Sequence, residues 1–407
     1  MSAPLLFLIA GEPSGDALGA RLMAALKRLT GGNVRFAGIG GERMAAEGLR
    51  SLVPLSELAL FGIVELLPHL PNLLRRIDET AKSIVAARPD AVIGIDSPGF
   101  TVRVAKRVRK AAPEIPLVHY VAPTVWAWRP GRAAKYAALY DHLLALLPFE
   151  PPYFERVGLP CSFVGHPVVE GGAGKGDGAR FRARFGLSES SRVVAVLPGS
   201  RRGEVNRLLP DFRATLERLL PDHPDLVAAV PTVSTVRDRV AGEIAGWPMR
   251  TILVEGDEAK YDAFAAAEVA LAASGTVALE LALSRLPAVI AYRLNPVTVA
   301  LYRRLIRVRY VNLVNLMLDR MLVPELLQRD CRPDRLAAEL GRLLDDRQAR
   351  ARQVDGVAEV ARWLGQGGLP PSERAARVIL DIVSGAAQNS LGQNRPGWTE
   401  TTQAQER

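Results

Sequence analysis

The chain has 407 residues, of which 48% are hydrophobic and 23% charged, and it carries a formal net charge of +9 at pH 7. This length is enough for two domains with full cores, and the composition is that of a soluble globular protein rather than a fibrous or disordered one. The basic charge favours phosphorylated ligands, anionic membranes or nucleic acid, and nucleic acid is the least favoured because no Lys/Arg cluster is interleaved with aromatic residues.

The cysteines and the N-terminus predict a cytoplasmic protein. Cys161 and Cys331 lie far apart and have neither metal-binding nor redox spacing, as expected in a reducing compartment. The N-terminal apolar run is short and no positively charged region precedes it, so we expect no export signal. No uncharged apolar run reaches the roughly eighteen residues of a spanning helix.

Apolar runs alternate with helical patterns in the first half of the chain. The runs read as strands buried on both faces, and they are residues 5–10, 34–39, 91–95, 117–121 and 143–147. The helical patterns between them include residues 17–28, 73–87 and 102–111. Such alternation predicts an α/β domain with a parallel, doubly wound sheet.

A polar, glycine-rich stretch at 170–178 interrupts this alternation, and we interpret it as the linker between two domains. The pattern then restarts with the apolar run at 193–197, followed by a helical stretch at 204–220 that we expect to be broken or restarted at Pro210. The apolar runs of this half are residues 193–197, 226–230, 251–254, 269–272 and 288–291. Beyond Pro296 the chain is mostly helical, and residues 389–407 are polar and predicted to be disordered.

Two parallel sheets with glycine-rich strand ends predict where a ligand binds. Ligands of such sheets lie at the carboxyl ends of the strands, so a two-domain arrangement places its site between the domains. The predicted fold is therefore α/β, with two Rossmann-like domains that face each other across a cleft.

The stretch at 269–283 is the strongest candidate for anion binding. Its apolar run ends in Ser274, Gly275 and Thr276, and a predicted helix carrying Glu280 follows. A strand, tight turn and helix direct free N–H groups and the positive end of a dipole towards an anion, and Gly275 lets a ligand approach the backbone. Glu280 is placed to accept a hydrogen bond from a sugar hydroxyl. The alternative is that Ser274 only caps a buried helix.

A second turn, at 198–202, belongs to the same predicted sheet. Its Arg201 is placed to clamp a diphosphate, although Arg201 and Arg202 also fit a solvated surface pair. The sequence contains no D-x-D carboxylate pair, whose oxygens a metal ion bridging a diphosphate would need. We therefore expect a metal-independent site with no cofactor.

Asp96 ends an otherwise apolar strand in the first half, where a partly desolvated carboxylate suits a general base. The alternative is that Asp96 caps the helix past Pro98. In the turn after the first strand, Glu12, Ser14 and Gly15 are candidates for the acceptor side of the cleft. This turn lacks the G-x-G-x-x-G pattern, so dinucleotide binding is not predicted.

Two histidines and two tryptophans have two interpretations each. His119 and His166 are further candidate bases, but each lies in or just after an apolar strand and fits a role in satisfying the local backbone. Trp126 and Trp128 fit a pocket wall that stacks on a sugar, and they fit core packing equally well.

The segment at 58–76 is more apolar than a surface helix requires. Its apolar residues exceed one core-facing stripe and are Phe61, Ile63, Val64, Leu66, Leu67 and Leu70. Arg75 and Arg76 follow directly, and this pairing suits a segment that docks on an anionic membrane surface. A buried helical hairpin is the alternative.

Together these motifs resemble the lipid-A-disaccharide synthases, which are glycosyltransferases of the two-domain type B fold. The resemblance covers residues 5 to 330 in the expected order and is specific. Its motifs are GEPSGD at 11–16, GIDSPGF at 94–100, HYVAPTVWAW at 119–128, LLPFE at 146–150, VGHP at 164–167, LPGSR at 197–201, ASGT at 273–276 and YVNLVNL at 310–316.

The resemblance implies transfer of 2,3-diacylglucosamine from its UDP conjugate to 2,3-diacylglucosamine 1-phosphate, with inversion, to give a β-1,6 disaccharide 1-phosphate and UDP. It implies Asp96 as the base, and Arg201 with the 274–276 turn as the diphosphate site. Glu280 would hold the ribose, with Arg293 and Asn315 as secondary contacts. Because both substrates carry acyl chains, we expect a peripheral protein on the cytoplasmic face of the inner membrane.

We predict two domains, one at 1–170 that binds the acceptor and docks on the membrane and one at 171–365 that binds the UDP-sugar. Helices at 366–388 are expected to cross back to the first domain, and a disordered tail follows at 389–407. The crossing helices come from the resemblance, as does the expectation that homodimers can form. Two other functions fit the pattern, a UDP-sugar 2-epimerase and a non-catalytic nucleotide-sugar-binding protein.

Overall fold

The computed structural model describes residues 3–58, 70–294 and 308–385. The first lobe is built on a six-stranded parallel sheet in the order β2-β1-β3-β4-β5-β6. Its strands are β1 Leu5–Ala10, β2 Arg35–Ile39, β3 Ala91–Ile95, β4 Leu117–Tyr120, β5 His142–Ala145 and β6 Cys161–Phe163. Its helices are α1 Pro13–Leu29, α2 Glu42–Ala46, α3 Leu70–Ala87, α4 Pro98–Ala111, α5 Arg132–Ala137 and α6 Pro151–Glu155.

The second lobe repeats this architecture with the strand order β12-β11-β10-β7-β8-β9, again all parallel. Its strands are β7 Arg192–Leu197, β8 Leu226–Thr232, β9 Arg250–Glu255, β10 Val269–Ala273, β11 Ala288–Tyr292 and β12 Glu325–Leu327. Its helices are α7 Gly178–Phe185, α8 Arg202–Leu219, α9 Arg237–Ile244, α10 Asp257–Ala266, α11 Val277–Leu283, α12 Leu313–Leu318, α13 Pro333–Asp345 and α14 Arg347–Trp363. The predicted two-sheet α/β fold is confirmed.

Alternate residues of each strand enter cores on opposite faces of the sheet, as a strand period of two requires. In β1, Phe7 and Ile9 pack with α3 and α4, whereas Leu6 and Leu8 pack with α1. Both faces are therefore covered by helices, which explains why the strands read as continuous apolar runs.

A last helix, α15 at Pro371–Val383, returns to the first lobe. Ile379 is fully buried, in the same core as residues of α1 and β3. Ser372 at its start donates a 2.6 Å hydrogen bond from its hydroxyl to Glu170, at the end of the first lobe. The chain thus passes from the first sheet to the second and back.

Two local expectations are corrected. The helix over 202–219 is continuous through Pro210, because Leu208, Leu209 and Phe212 are buried against the sheet and this packing outweighs one missing backbone bond. The glycine-rich stretch is packed rather than loose. A Cβ on Gly176 would lie 1.9 Å from the Tyr261 carbonyl oxygen, so glycine is needed there for close approach.

Candidate active site

The second sheet reverses its strand order between β7 and β10, which are neighbours, and such a switch point opens a crevice at the carboxyl ends of the strands. The turn after β7, with Arg201, and the turn after β10, at 274–276, lie beside each other there. They line one pocket of about 340 Å³, to which the end of β8 also contributes. The structure therefore brings the two predicted anion-binding turns together.

The turn after β7 presents Arg201 to the pocket. Gly199 has a φ of +111°, and a Cβ there would lie 2.6 Å from the Glu204 carboxylate. Glu204 makes a 3.3 Å ion pair with Arg201, while the Arg201 side chain remains 82% exposed. The guanidinium is thus oriented at the start of α8 and still open to a ligand.

The turn after β10 leaves hydrogen-bond donors available. Thr276 is the N-cap of α11 but makes no side-chain capping bond, so the interpretation of Ser274 as a plain cap is not seen. Within the described residues, the backbone N–H groups of Gly275 and Thr276 donate to no other backbone group. A Cβ on Gly275 would meet nothing within 4 Å, which leaves this backbone open to an anion.

Glu280 lies in the same pocket and pairs with Lys260, a residue that sequence reasoning missed. The Lys260 Nζ is 3.1 Å from a Glu280 carboxylate oxygen and 3.0 Å from Asp257. Burial raises the pKa of Glu280, and the positive charge of Lys260 offsets part of this rise. Burial lowers the pKa of Lys260, but the neighbouring carboxylates outweigh it, so the pKa lies above its usual value.

The first sheet has its own switch point, between the neighbouring strands β1 and β3. Glu12 follows β1 and Asp96 follows β3, so both carboxylates lie at the ligand-binding edge. Burial raises the pKa of Asp96, and a backbone hydrogen bond from Ser97 opposes the rise. Asp96 and Ser97 have φ values of +48° and +46°, a strained pair of the kind found at functional sites.

The interpretation of Asp96 as a helix cap is not seen. The N-cap of α4 is Ser97, and no side chain caps this helix. The Thr101 hydroxyl instead donates to the backbone carbonyl of Asp96 at 2.9 Å, which fixes the strained turn and leaves the carboxylate at the strand end.

The two switch points face each other across a cleft between the sheets. Burial raises the pKa of Glu12, the charge of Asp96 raises it further, and Arg201 of the opposite lobe lowers it. A guanidinium therefore lies on one side of the gap and two carboxylates on the other, close enough to interact.

The rest of the first turn serves packing as well as the cleft. Ser14 is exposed on the first turn of α1, whereas Gly15 is buried, and a Cβ there would come 3.4 Å from the Ile95 carbonyl oxygen. Asp16 is buried and accepts hydrogen bonds from the N–H groups of Gly41 and Met44, at 2.7 and 3.0 Å. Its carboxylate caps α2 and takes no part in the cleft.

Two predicted nucleotide contacts are engaged elsewhere. Asn315 is fully buried, and its amide bonds the backbone of Val323 at both ends. Arg293 pairs with Asp211 at 2.7 Å. Neither residue lines the 340 Å³ pocket, and these contacts give both residues a structural role, so their nucleotide contacts stay a prediction.

The two histidines are unsuited to act as bases near neutral pH. Burial lowers the pKa of His119 to about 3 and that of His166 to about 4. His119 packs against the rings of Tyr136 and Tyr140, with centroids 5.2 and 5.0 Å away. His166 accepts a hydrogen bond from the Val168 N–H, which agrees with the backbone interpretation.

Glu150, which ends the LLPFE motif, is a buried carboxyl to which the sequence analysis assigned no role. It accepts hydrogen bonds from the Leu147 N–H at 2.9 Å and from the Trp126 indole at 3.2 Å. Trp126 and Phe149 contact each other and pack on the core of the second lobe. Burial raises the pKa of Glu150 to about 7, against the effect of its hydrogen bonds.

Residues 59–69, which carry Phe61, Ile63, Val64, Leu66 and Leu67, lie outside the described residues, and Leu70 begins α3. Arg75 and Arg76 both pair with Glu79, and Arg76 also pairs with Glu57. Among the helices that the structure describes, none combines the length and apolar character needed to cross a membrane. The described ranges also contain no group of three or more His, Cys, Asp or Glu residues that could hold a metal ion.

Solved structures share this two-lobed architecture. A UDP-GlcNAc 2-epimerase from Neisseria meningitidis matches with a TM-score of 0.61 at 10% identity, over 94% of this chain and 99% of that one. MurG from Acinetobacter baumannii matches with a TM-score of 0.53 at 15% identity, over 94% and 99%. At these identities the likeness shows the fold, which is that of the type B glycosyltransferases.

Sequence comparison is more specific. The sequence model described as lipid-A-disaccharide synthetase matches residues 6–377. A lipid-A-disaccharide synthase from Rhodospirillum centenum is 64% identical over 94% of this chain and 96% of its own length. One from Paramagnetospirillum magneticum is 50% identical over 93% and 97%. The chain therefore belongs to the lipid-A-disaccharide synthase family, whose members are glycosyltransferases of lipid A biosynthesis.

Proposed function

We propose that the protein transfers 2,3-diacylglucosamine from its UDP conjugate to the 6-hydroxyl of 2,3-diacylglucosamine 1-phosphate, with inversion at the anomeric carbon. The observation that carries this proposal is the cleft itself. Anion-binding turns line one wall and the Asp96 carboxylate ends a strand on the other, and Arg201 is close enough to act on Glu12. A nucleotide-sugar donor and a hydroxyl acceptor require such opposed walls.

The second lobe would stabilise the departing UDP. Arg201 and the free N–H groups of Gly275 and Thr276 supply positive charge and donors where the diphosphate develops negative charge. Glu280 would accept a hydrogen bond from the ribose, with Lys260 holding its carboxylate in place. Arg293 and Asn315 would be secondary contacts to the donor, in addition to the structural contacts that both make.

The first lobe would activate the acceptor. Asp96 takes the proton of the 6-hydroxyl while the oxygen attacks the anomeric carbon, and the bond from that carbon to the diphosphate oxygen breaks. Because one displacement suffices, the configuration inverts and no sugar–enzyme bond forms. Burial raises the Asp96 pKa towards the operating pH, which favours proton transfer. Glu12 and Ser14 would contact acceptor hydroxyls.

The decisive experiment is product analysis with synthetic UDP-diacylglucosamine and the monophosphate acceptor, with and without EDTA. We expect the β-1,6 disaccharide 1-phosphate and UDP in both samples. Loss of product in EDTA would contradict the predicted metal independence but not the transfer itself. Release of UDP or of an isomer from UDP-acetylglucosamine alone, without acceptor, would point to an epimerase instead.

We further propose that the apolar segment at 58–76 docks the enzyme on the cytoplasmic face of the inner membrane. Extracting an acyl chain costs about 0.8 kcal/mol per CH₂, so an enzyme that admits only the headgroups avoids most of this cost. Arg75, near the end of this segment, is 54% exposed, although it shares Glu79 with Arg76. Homodimer formation likewise remains a proposal.

Docking predicts that replacing Phe61, Val64 and Leu67 together by Ser releases the protein from anionic vesicles while its thermal unfolding stays unchanged. Cosedimentation with vesicles measures the first and circular dichroism the second. Undiminished sedimentation of the triple variant would contradict docking through this segment.

A further inference from the structure

A second cavity lies in the first lobe and shares no lining residue with the 340 Å³ pocket of the second lobe. It has a volume of about 610 Å³, which is within the range of small-molecule sites. Pro98 at the start of α4 forms one wall, and Tyr136 of α5 forms another. The mechanism proposed above does not use this cavity.

Four cations and no carboxylate line the cavity. They come from three segments of the chain: Lys106 from α4, Arg129 from the loop after β4, and Arg132 and Lys135 from α5. In the described parts of the chain, none of the four lies within ion-pair distance of an acid. Elsewhere on α4, the helix that carries Lys106, Arg109 does have such a partner and pairs with Asp141 at 2.6 Å.

Two of these cations are held in place by an aromatic ring. The guanidinium groups of Arg129 and Arg132 lie 4.5 and 5.1 Å from the centroid of the Trp128 ring. The Trp128 indole donates to the Thr124 hydroxyl at 3.2 Å, and the Arg132 N–H donates to the Arg129 carbonyl at 3.0 Å. A stacked guanidinium keeps its edge free to donate to an anion, and fixing it in advance reduces the entropy lost on binding.

The cavity and the proposed base share a neighbour. Tyr136 is buried, and its hydroxyl has no hydrogen-bond partner in the described structure. Burial raises the pKa of Tyr136 to about 12, the charge of Arg132 lowers it, and the charge of Asp96 raises it. Asp96 and the cationic wall are therefore both close to this one ring.

We propose that this basic cavity binds the phosphate monoester of the acceptor and so orients the acceptor hydroxyl towards Asp96. The inference rests on the proposed function and adds a recognition element to it. A dianion in a cavity lined by these four cations, which have no acid within ion-pair distance among the described residues, gains charge-assisted hydrogen bonds that an unphosphorylated sugar cannot make. The cavity would therefore select phosphorylated acceptors over the donor, whose phosphates belong to the other lobe.

The test compares two acceptors in neutral detergent micelles, 2,3-diacylglucosamine 1-phosphate and the same compound without phosphate. Losing a hydrogen bond to a charged group corresponds to about 10- to 100-fold in affinity. We expect R132Q to raise KM for the phosphorylated acceptor by such a factor and to leave KM for the donor unchanged. K106Q should act in the same direction without disturbing packing, because Lys106 is exposed and comes from a different helix.

The matched control is R156Q, since Arg156 is an exposed arginine of the first lobe that, like the half-buried Arg132, stacks on an aromatic ring, here Tyr153 at 5.9 Å. It should leave both KM values unchanged. In the wild type, glucosamine 1-phosphate should compete with the acceptor more strongly than inorganic phosphate does, and R132Q should weaken this competition.

Equal losses on both acceptors, or the lack of any competition by glucosamine 1-phosphate, would overturn the inference. A defect of R132Q in binding to anionic vesicles, without a KM change in micelles, would assign the cations to the membrane and overturn it as well. If the wild type forms no disaccharide from either acceptor, the proposed function itself fails. Disaccharide formation with KM values that the variants leave unchanged would reject only the phosphate site.

Discussion

At the scale of single residues, the environment of Asp96 follows from where its strand ends. The carboxylate comes one residue after five buried residues of β3, and its backbone occupies the left-handed region at φ +48°. Such a conformation costs about 1–3 kcal/mol and persists only where neighbours hold it, here through the Thr101 hydroxyl.

The proposed role of Asp96 predicts both a rate and a pH profile. D96N should lower kcat by about 10²- to 10⁴-fold while UDP binding is retained, as calorimetry can show. Because burial raises the pKa of Asp96, the basic form is lost as pH falls through a value above 3.8, and kcat/KM should fall with it. E12Q should instead raise KM for the acceptor and keep the wild-type pH profile of kcat, since Glu12 is proposed to contact the acceptor and is not the proposed base. A variant D96N that keeps full turnover would favour a non-catalytic binding protein or another base.

Arg201 and Arg202 provide a matched pair of adjacent, exposed arginines. Only Arg201 lines the pocket, so R201Q should weaken UDP binding and turnover by about 10- to 100-fold. R202Q should change UDP binding and turnover by less than about twofold each. Equal effects of the two substitutions, measured by UDP titration and steady-state kinetics, would show that general surface charge rather than a specific clamp is responsible.

Glu150 predicts a pH dependence of stability. Its pKa is raised from 4.5 to about 7 in the folded protein, so the neutral form is favoured there. Its contribution to stability is fully present below pH 4.5 and is lost as pH rises through about 7, by about 2–3 kcal/mol. Urea unfolding at pH 5 and pH 8 should show this loss in the wild type and a smaller one in E150Q. Parallel pH profiles would contradict the prediction.

At the scale of elements, the glycine-rich stretch is a packed connection, which Gly176 within it tests, with Gly242 outside it as a contrast of opposite sign. A Cβ on Gly176 would meet the Tyr261 backbone, so G176A should destabilise the protein by about 2–4 kcal/mol. Gly242 lies inside α9 with nothing within 4 Å of its Cβ position, so G242A should stabilise by about 0.5–1 kcal/mol. Urea unfolding measures both. Tolerance of G176A would mean that the stretch is a loose linker.

A helix or strand can be predicted from the sequence when its signal, such as an apolar run that ends in turn residues, lies within the element itself. Long buried strands such as β1 and β10 were predicted, because their apolar runs end in turn residues. The short strands β6 and β12 were missed, since three residues carry no periodic signal. The predicted break at Pro210 was wrong for a related reason. The residues around Pro210 are buried against a sheet that is distant in sequence, and local propensity does not describe this packing.

The same distinction applies to the candidate site. The turns that carry Arg201 and Ser274 stand at strand ends and could be recognised from the sequence. Lys260 reaches the pocket from the side of α10. The one signal in the sequence was its position, near the start of the helix that follows a predicted strand. The sequence predicted Asn315 as a secondary ligand contact, but it could not predict that the Asn315 amide also hydrogen-bonds the backbone of Val323.

At the scale of the whole molecule, the first lobe is completed by α15. I379A should therefore destabilise the protein by about 2–5 kcal/mol, because the fully buried side chain joins the core of α1 and β3. L369A is the matched control, since Leu369 is 49% exposed just before the helix, and it should change stability by less than about 0.5 kcal/mol. Similar values for the two variants in thermal unfolding would show that α15 packs loosely.

The return of α15 also sets the order in which the protein can be made. The strands of the first lobe leave the ribosome early, but one face of that sheet keeps an apolar gap beside α1 until residues 371–383 have been translated. Domains usually fold in order of synthesis, and exposed apolar surface invites aggregation or chaperone capture. In this chain, by contrast, the core of the first lobe is completed only after the second lobe has been synthesised.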